Sequence, residues 1–85
     1  MTVGIVGLGL IGGSFAKAYS AAGERVLAFN RTRSVLDFAI MSGCVDAELT
    51  RENISGCDLV LITLYPRAAI DYFADMAPYI GDKPV

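Results

Sequence analysis

Gly7, Gly9 and Gly12 fall in the spacing GxGxxG inside the run GIVGLGLIGGSF. That spacing suits one task, holding a pyrophosphate with backbone alone. Gly7 permits a tight turn, Gly9 has no side chain to block the phosphates, and Gly12 lets a following helix lie close to a sheet. The backbone N–H groups of Leu10 and Ile11 then face the phosphates, with the helix dipole behind them. Glycines are common in turns, so the spacing means little by itself. Directly after a strand and at the head of a helix, it means a good deal more. The plain alternative is a bare strand–helix turn with no ligand. Ser14, in the same run, suits a hydrogen bond within the first helical turn; the chain has no histidine to activate it as a nucleophile.

A second constellation stands in LAFNRTRSV, Leu27 to Val35. About 20 residues past such a glycine loop, the end of the next strand normally carries an acid that grips a ribose hydroxyl. Here the position holds Asn30, followed by Arg31, Thr32 and Arg33. Asparagine keeps the hydrogen-bonding capacity and removes the charge that would repel a 2′-phosphate. The two arginines offer forked donors to phosphate oxygens, and Thr32 offers a hydroxyl. The expected cofactor is therefore NADP, with NAD less favoured. The competing reading makes Asn30 a turn residue and the arginines solvated. Its weakness is that a cation at a helix start opposes the helix dipole by about 0.3–1 kcal/mol. Thr63, Leu64 and Tyr65, in the loop TLYPR, are expected to line the ribose and adenine side; packing against the last helix suits Tyr65 equally well. Arg67 reads either as a phosphate ligand or as a solvated side chain, and Tyr19, Tyr72 and Tyr79 read as packing residues.

The elements that must position these residues alternate. TVGIVG reads as a buried strand, followed by a helix from Ile11 with Ile11, Phe15, Ala18 and Ala22 inward and Gly23 as its stop. RVLAF is a second strand. A second helix begins at Thr32 or Ser34, turns Val35, Phe38 and Ala39 inward, and ends at Gly43. There is room for a short strand around Cys44 to Ala47 and one helical turn within Thr50 to Ser55. DLVLITL is an uninterrupted apolar run, as in a parallel strand buried on both faces. Pro66 suits the first turn of a last helix, with Ile70, Phe73, Ala77 and Ile80 inward and Asp71 and Asp75 outward. Alternating strands and helices on short links imply an α/β fold, a Rossmann-type parallel sheet with helices on both faces. The final KPV reads as the start of a fifth strand that is cut off, so residues 1–85 are expected to be a dinucleotide-binding domain fragment of a longer protein. The missing strand would leave DLVLITL as an open edge.

Composition narrows the partners. The chain has 85 residues with net charge −2 and no charge run, which argues against a nucleic-acid surface. No apolar stretch approaches the ~20 residues of a membrane span. Cys44 and Cys57 form no CxxC pair, and without histidine a zinc site is out of reach. Both cysteines read as core residues in a reducing cytoplasm. With 54% hydrophobic residues in so small a domain, some apolar surface is expected to meet a partner.

The run VGIVGLGLIGGSFAKAY resembles the amino terminus of prephenate and arogenate dehydrogenases, and CDLVLITLYP resembles the strand and cofactor loop that follow there. GLGLIGGS is more specific than GxGxxG. The resemblance implies an oxidoreductase of tyrosine biosynthesis, in which a nicotinamide cofactor takes hydride from a cyclohexadienyl ring as carbon dioxide leaves. It also implies that the catalytic histidine, the residues binding prephenate or arogenate, and the helical domain that makes a homodimer lie outside these 85 residues. None of the chain's own residues is then catalytic. In NADP-dependent relatives an arginine at this position stacks on adenine, a role that suits Arg31. 6-Phosphogluconate and hydroxyisobutyrate dehydrogenases share the glycine pattern, and several carry Asn-Arg-Thr, but they more often read GLGxMG. A nucleotide-sensing regulatory module is the alternative outside enzymology.

Overall fold

The structure, a computed structural model, describes residues 1–64 and 66–81. Its elements are β1 (Thr2–Val6), α1 (Leu10–Ala21), β2 (Arg25–Phe29), α2 (Arg33–Met41), β3 (Ala47–Glu48), a 3₁₀ turn at Ile54–Gly56, β4 (Leu59–Ile62) and α3 (Pro66–Ile80). The strands form one parallel sheet in the order β3-β2-β1-β4. In this Rossmann-type arrangement β1 is central. The chain moves outward on one side of it and then crosses to the other, so the end of β1 lies at the point where strand order reverses.

Strand residues alternate between two cores, as the pleat requires. Val3, Ile5, Val26 and Ala28 meet Ala16 of α1 and Leu36 of α2 on one face. Val6, Leu27 and Val60 meet Met76 and Ile80 of α3 on the other, with Leu49, Ile54 and Cys57. Aspartates clasp the far end of the sheet. Asp46 donates its N–H to Val26 O and accepts Val26 N–H on Oδ2, both at 2.7 Å. Asp58 donates to Thr2 O at 2.8 Å and accepts from Thr2 N–H at 2.7 Å. These two acids hold strand starts together, at the end of the sheet opposite the glycine loop.

The helices exist where periodicity places them, but their inner faces differ from the sequence reading. On α1 the buried residues are Gly12 and Ala16, while Ile11 is 67% and Phe15 41% exposed and Ala18 and Ala22 face solvent. On α2 the buried residue is Leu36, flanked by the half-buried Ala39 and Ile40; Val35 and Phe38 point outward. On α3, Ile80 is buried and Asp71 and Asp75 are exposed as expected, but Met76 replaces Ile70 and Phe73 in the core. The reason is distance. A helix lying close over a sheet needs small residues at the contact, so α1 turns its bulky side chains away.

Smaller departures follow tertiary pairing. The third strand falls at Ala47–Glu48, later than Cys44 to Ala47, because Ala28 of β2 pairs with Glu48. The helical turn occupies only Ile54–Gly56, and β4 is the shorter Leu59–Ile62. Tyr19 and Tyr72 pack as expected, whereas Tyr79 is 41% exposed, with the Arg51 guanidinium 6.0 Å from its ring centre. The fifth strand expected at KPV lies outside the described residues. Among those described, no helix is long and apolar enough to cross a membrane.

The corrected face of α2 is measurable. Leu36→Ala should cost about 2–5 kcal/mol in urea unfolding, as expected for a fully buried leucine. Phe38→Ala, at a side chain 73% exposed, should stay within about 0.5 kcal/mol.

Candidate functional site: the glycine loop and the β2–α2 turn

Gly7, directly after β1, has φ at 93°, a conformation open to glycine and costly for other residues. Its N–H donates to Phe29 O at 2.8 Å, which ties the loop to the end of β2. A Cβ on Gly7 would stand 2.7 Å from Thr63 O and 2.8 Å from the Leu64 side chain. Gly12 is tighter still. A Cβ there would lie 1.8 Å from Gly7 O and 2.5 Å from Thr63 Oγ1. Gly9 is the opposite case, since a Cβ there meets nothing within 4 Å. Two of the three glycines are thus required by contacts inside the fold. The third borders open space.

The start of α1 has the groups an anion needs. No side chain caps it, and no acid stands in its first turn. The first bond of the helix runs from Gly13 N–H to Gly9 O at 2.8 Å, which leaves the Leu10 and Ile11 N–H groups ahead of the ladder. Ser14 donates its hydroxyl to Leu10 O at 2.8 Å and so belongs to the helix.

Thr63 does more than line the loop. Its hydroxyl sits 2.6 Å from Gly7 O and 3.0 Å from Val6 O, and its N–H donates to Val6 O at 2.8 Å. The end of β4 is thereby fastened to the turn that follows β1. Leu64 packs into the α3-side core. Tyr65 lies outside the described residues.

Asn30 is shared between two segments. Its Oδ1 accepts the Leu8 N–H at 2.9 Å, and its Nδ2 donates to Thr32 O at 3.1 Å. One side chain therefore joins the glycine loop to the β2–α2 turn. Leu8, whose N–H meets it, was invisible as a site residue because the contact uses only backbone. Thr32 is the N-cap of α2 without a side-chain bond of its own.

The two arginines part company. Arg31 is exposed and makes no ion pair among the described residues. Arg33 is held by Glu48 Oε1 at 2.8 Å from Nη1 and by Asp37 Oδ1 at 3.1 Å from Nε. The Glu48 hydrogen bond, then the charges of Asp37 and Glu48, push the Arg33 guanidinium above its already high ordinary value. The Asp37 contact is legible as an i, i+4 pair. The Glu48 contact depends on where β3 pairs.

Two concavities flank these residues. A cavity of about 330 Å³ lies between the end of β3 and α3, walled by Phe29 and Tyr72, whose rings stack with centres 6.0 Å apart. Burial raises the Tyr72 phenol above its ordinary value. A shallower groove of about 470 Å³ runs along the outer side of α1 over Leu10, Ile11, Ser14, Phe15 and Ala18.

Over residues 2–81 the sequence matches the family described as the NAD binding domain of 6-phosphogluconate dehydrogenase. The chain belongs to that family. Solved structures agree with the fold of this NAD-binding domain. Arogenate dehydrogenase from Synechocystis superposes with a TM-score of 0.89 at 21% identity, covering 100% of this chain and 31% of that one. An imine reductase from Streptomyces aurantiacus gives 0.80 at 27% identity, covering 98% and 30%. Prephenate dehydrogenase from A. aeolicus, in complex with hydroxyphenyl propionate and NAD+, gives 0.69 at 21% identity, covering 100% and 30%. The domain therefore spans about 30% of the solved chains it matches. No curated protein sequence matches it.

The three glycines should separate on substitution. Gly12→Ala forces a Cβ into Gly7 O and should cost about 1–3 kcal/mol or more in chemical denaturation. Gly9→Ala, in open space at φ −69°, should shift stability by no more than about 0.5 kcal/mol.

Proposed function

We propose that this chain is the NADP-binding part of an oxidoreductase of the prephenate or arogenate dehydrogenase kind. The observation that carries the cofactor reading is the end of β2. Asn30 stands where a ribose-gripping acid would repel a 2′-phosphate, and Arg31, exposed and without an ion pair among the described residues, follows it. The open space at Gly9 and the uncapped start of α1 fit a pyrophosphate. When bound, the dinucleotide supplies hydride transfer; the chain's own part is to bind and orient it.

In this reading the Leu10 and Ile11 N–H groups bind the pyrophosphate, while Asn30 fixes the turn through Leu8 and Thr32. Arg31 and the Thr32 hydroxyl face the 2′-phosphate, with Arg31 free to stack on adenine. Arg33 contributes only what its two carboxylate partners leave over. Leu64 borders the ribose and adenine side. The fold likeness to arogenate and prephenate dehydrogenases over the whole chain supports the reaction class. An imine reductase is the second reading, favoured by its higher identity of 27%. The two readings share the cofactor task and differ in substrate.

Because Arg33 is partly neutralised, NADP should be preferred over NAD by roughly tenfold, and the preference should shrink as salt rises. Arg31→Ala should remove most of it and leave NAD binding within about twofold. Calorimetric titration of both cofactors measures this, and equal affinities in the wild type would overturn the assignment. The chain alone, with no histidine for acid–base work, should oxidise neither prephenate nor arogenate. NADPH formation above the buffer background would contradict that.

A further inference from the structure

The pairing of Arg33 has a consequence for cofactor choice, which rests on the NADP reading above. Arg33 opens α2, directly after the turn that Asn30 and Thr32 build. Its Nη1 meets Glu48 at 2.8 Å and its Nε meets Asp37 at 3.1 Å. With Arg31 included, two guanidiniums at this corner are balanced by two carboxylates. A 2′-phosphate, which brings roughly two negative charges, therefore meets the field of Arg31 while that of Arg33 is offset by its carboxylates. Glu48 is the closer of the two acids to Arg33. It sits on β3, where pairing with Ala28 fixes its backbone, and Asn53 Nδ2 donates to its carbonyl oxygen at 2.9 Å. Its side chain is 35% exposed, against 53% for Asp37, so its contact is the less screened.

We propose that Glu48 sets how strongly this domain prefers a 2′-phosphorylated dinucleotide, by holding the Arg33 guanidinium in an ion pair beside the β2–α2 turn. Glu48 acts through Arg33 and is a positioning residue. Glu48 holds Nη1 and Asp37 holds Nε, which leaves Nη2 for a phosphate. Removing the carboxylate releases the Nη1 donor and strengthens the positive field. Nothing in this mechanism touches NAD, which lacks the phosphate.

The test is calorimetric titration of NADP+ and of NAD+ into the wild type, Glu48→Gln, Arg33→Ala and the double variant, at low and at high salt. Glu48→Gln keeps the shape of the side chain and the backbone bonds of β3. It should tighten NADP+ binding about two- to fivefold at low salt, less at high salt, and leave NAD+ unchanged. In the Arg33→Ala background the same change should do nothing. Asp37→Asn should shift NADP+ in the same direction by a smaller factor. Unchanged or weaker NADP+ binding in Glu48→Gln overturns the proposal, as does an equal gain without Arg33. The wild-type ratio of the two cofactors tests the NADP reading separately. If the wild type shows no preference and Glu48→Gln acquires one, the role of Glu48 stands.

Discussion

The approach of Gly12 to the Gly7 carbonyl organises this domain. No side chain fits between them, since even a Cβ would lie 1.8 Å from that oxygen. The contact seats the first turn of α1 against the end of β1. Thr63 reaches across from β4 to place its hydroxyl 2.6 Å from the same oxygen. Strand, helix and crossover strand thus meet at one carbonyl group. The unbonded N–H groups at the head of α1 are aimed by that contact, with no polar side chain required.

Asn30 extends the arrangement sideways. By accepting from Leu8 and donating to Thr32, it makes the position of the β2–α2 turn depend on the glycine loop. A carboxylate could accept the Leu8 N–H but would face the Thr32 carbonyl with no proton to share. The asparagine therefore has a structural reason to stand there. The turn it holds presents Arg31 to solvent and Arg33 to Glu48, so two neighbouring arginines have different electrostatic surroundings.

The close seating of helices also decides which surface is left over. Small residues are used at the α1 contact, so Leu10, Ile11 and Phe15 stand outside at 94%, 67% and 41% exposure. Phe38 and Met41 on α2 and Ile70 on α3 do the same. Much of the hydrophobic content of the sequence is therefore spent on the surface, and the core is built mainly from Val, Ile, Leu and Ala, with Met76 and Cys57.

The sequence by itself determined the order and type of the elements, because hydrophobic period and glycine stops are local signals. It also determined the glycine loop between β1 and α1, since three glycines in register after a strand leave few other readings. The tertiary structure decided which way each helix turned. Ile11 and Phe15 form an apolar face of α1 by spacing, yet the sheet takes Gly12 and Ala16, because close packing there selects small residues; on α2 it takes Leu36 in place of Val35 and Phe38. It decided, too, that Thr63 locks the loop and that Glu48 claims Arg33. Both contacts join residues far apart in the chain, and only the register of a parallel sheet brings such groups within hydrogen-bond reach.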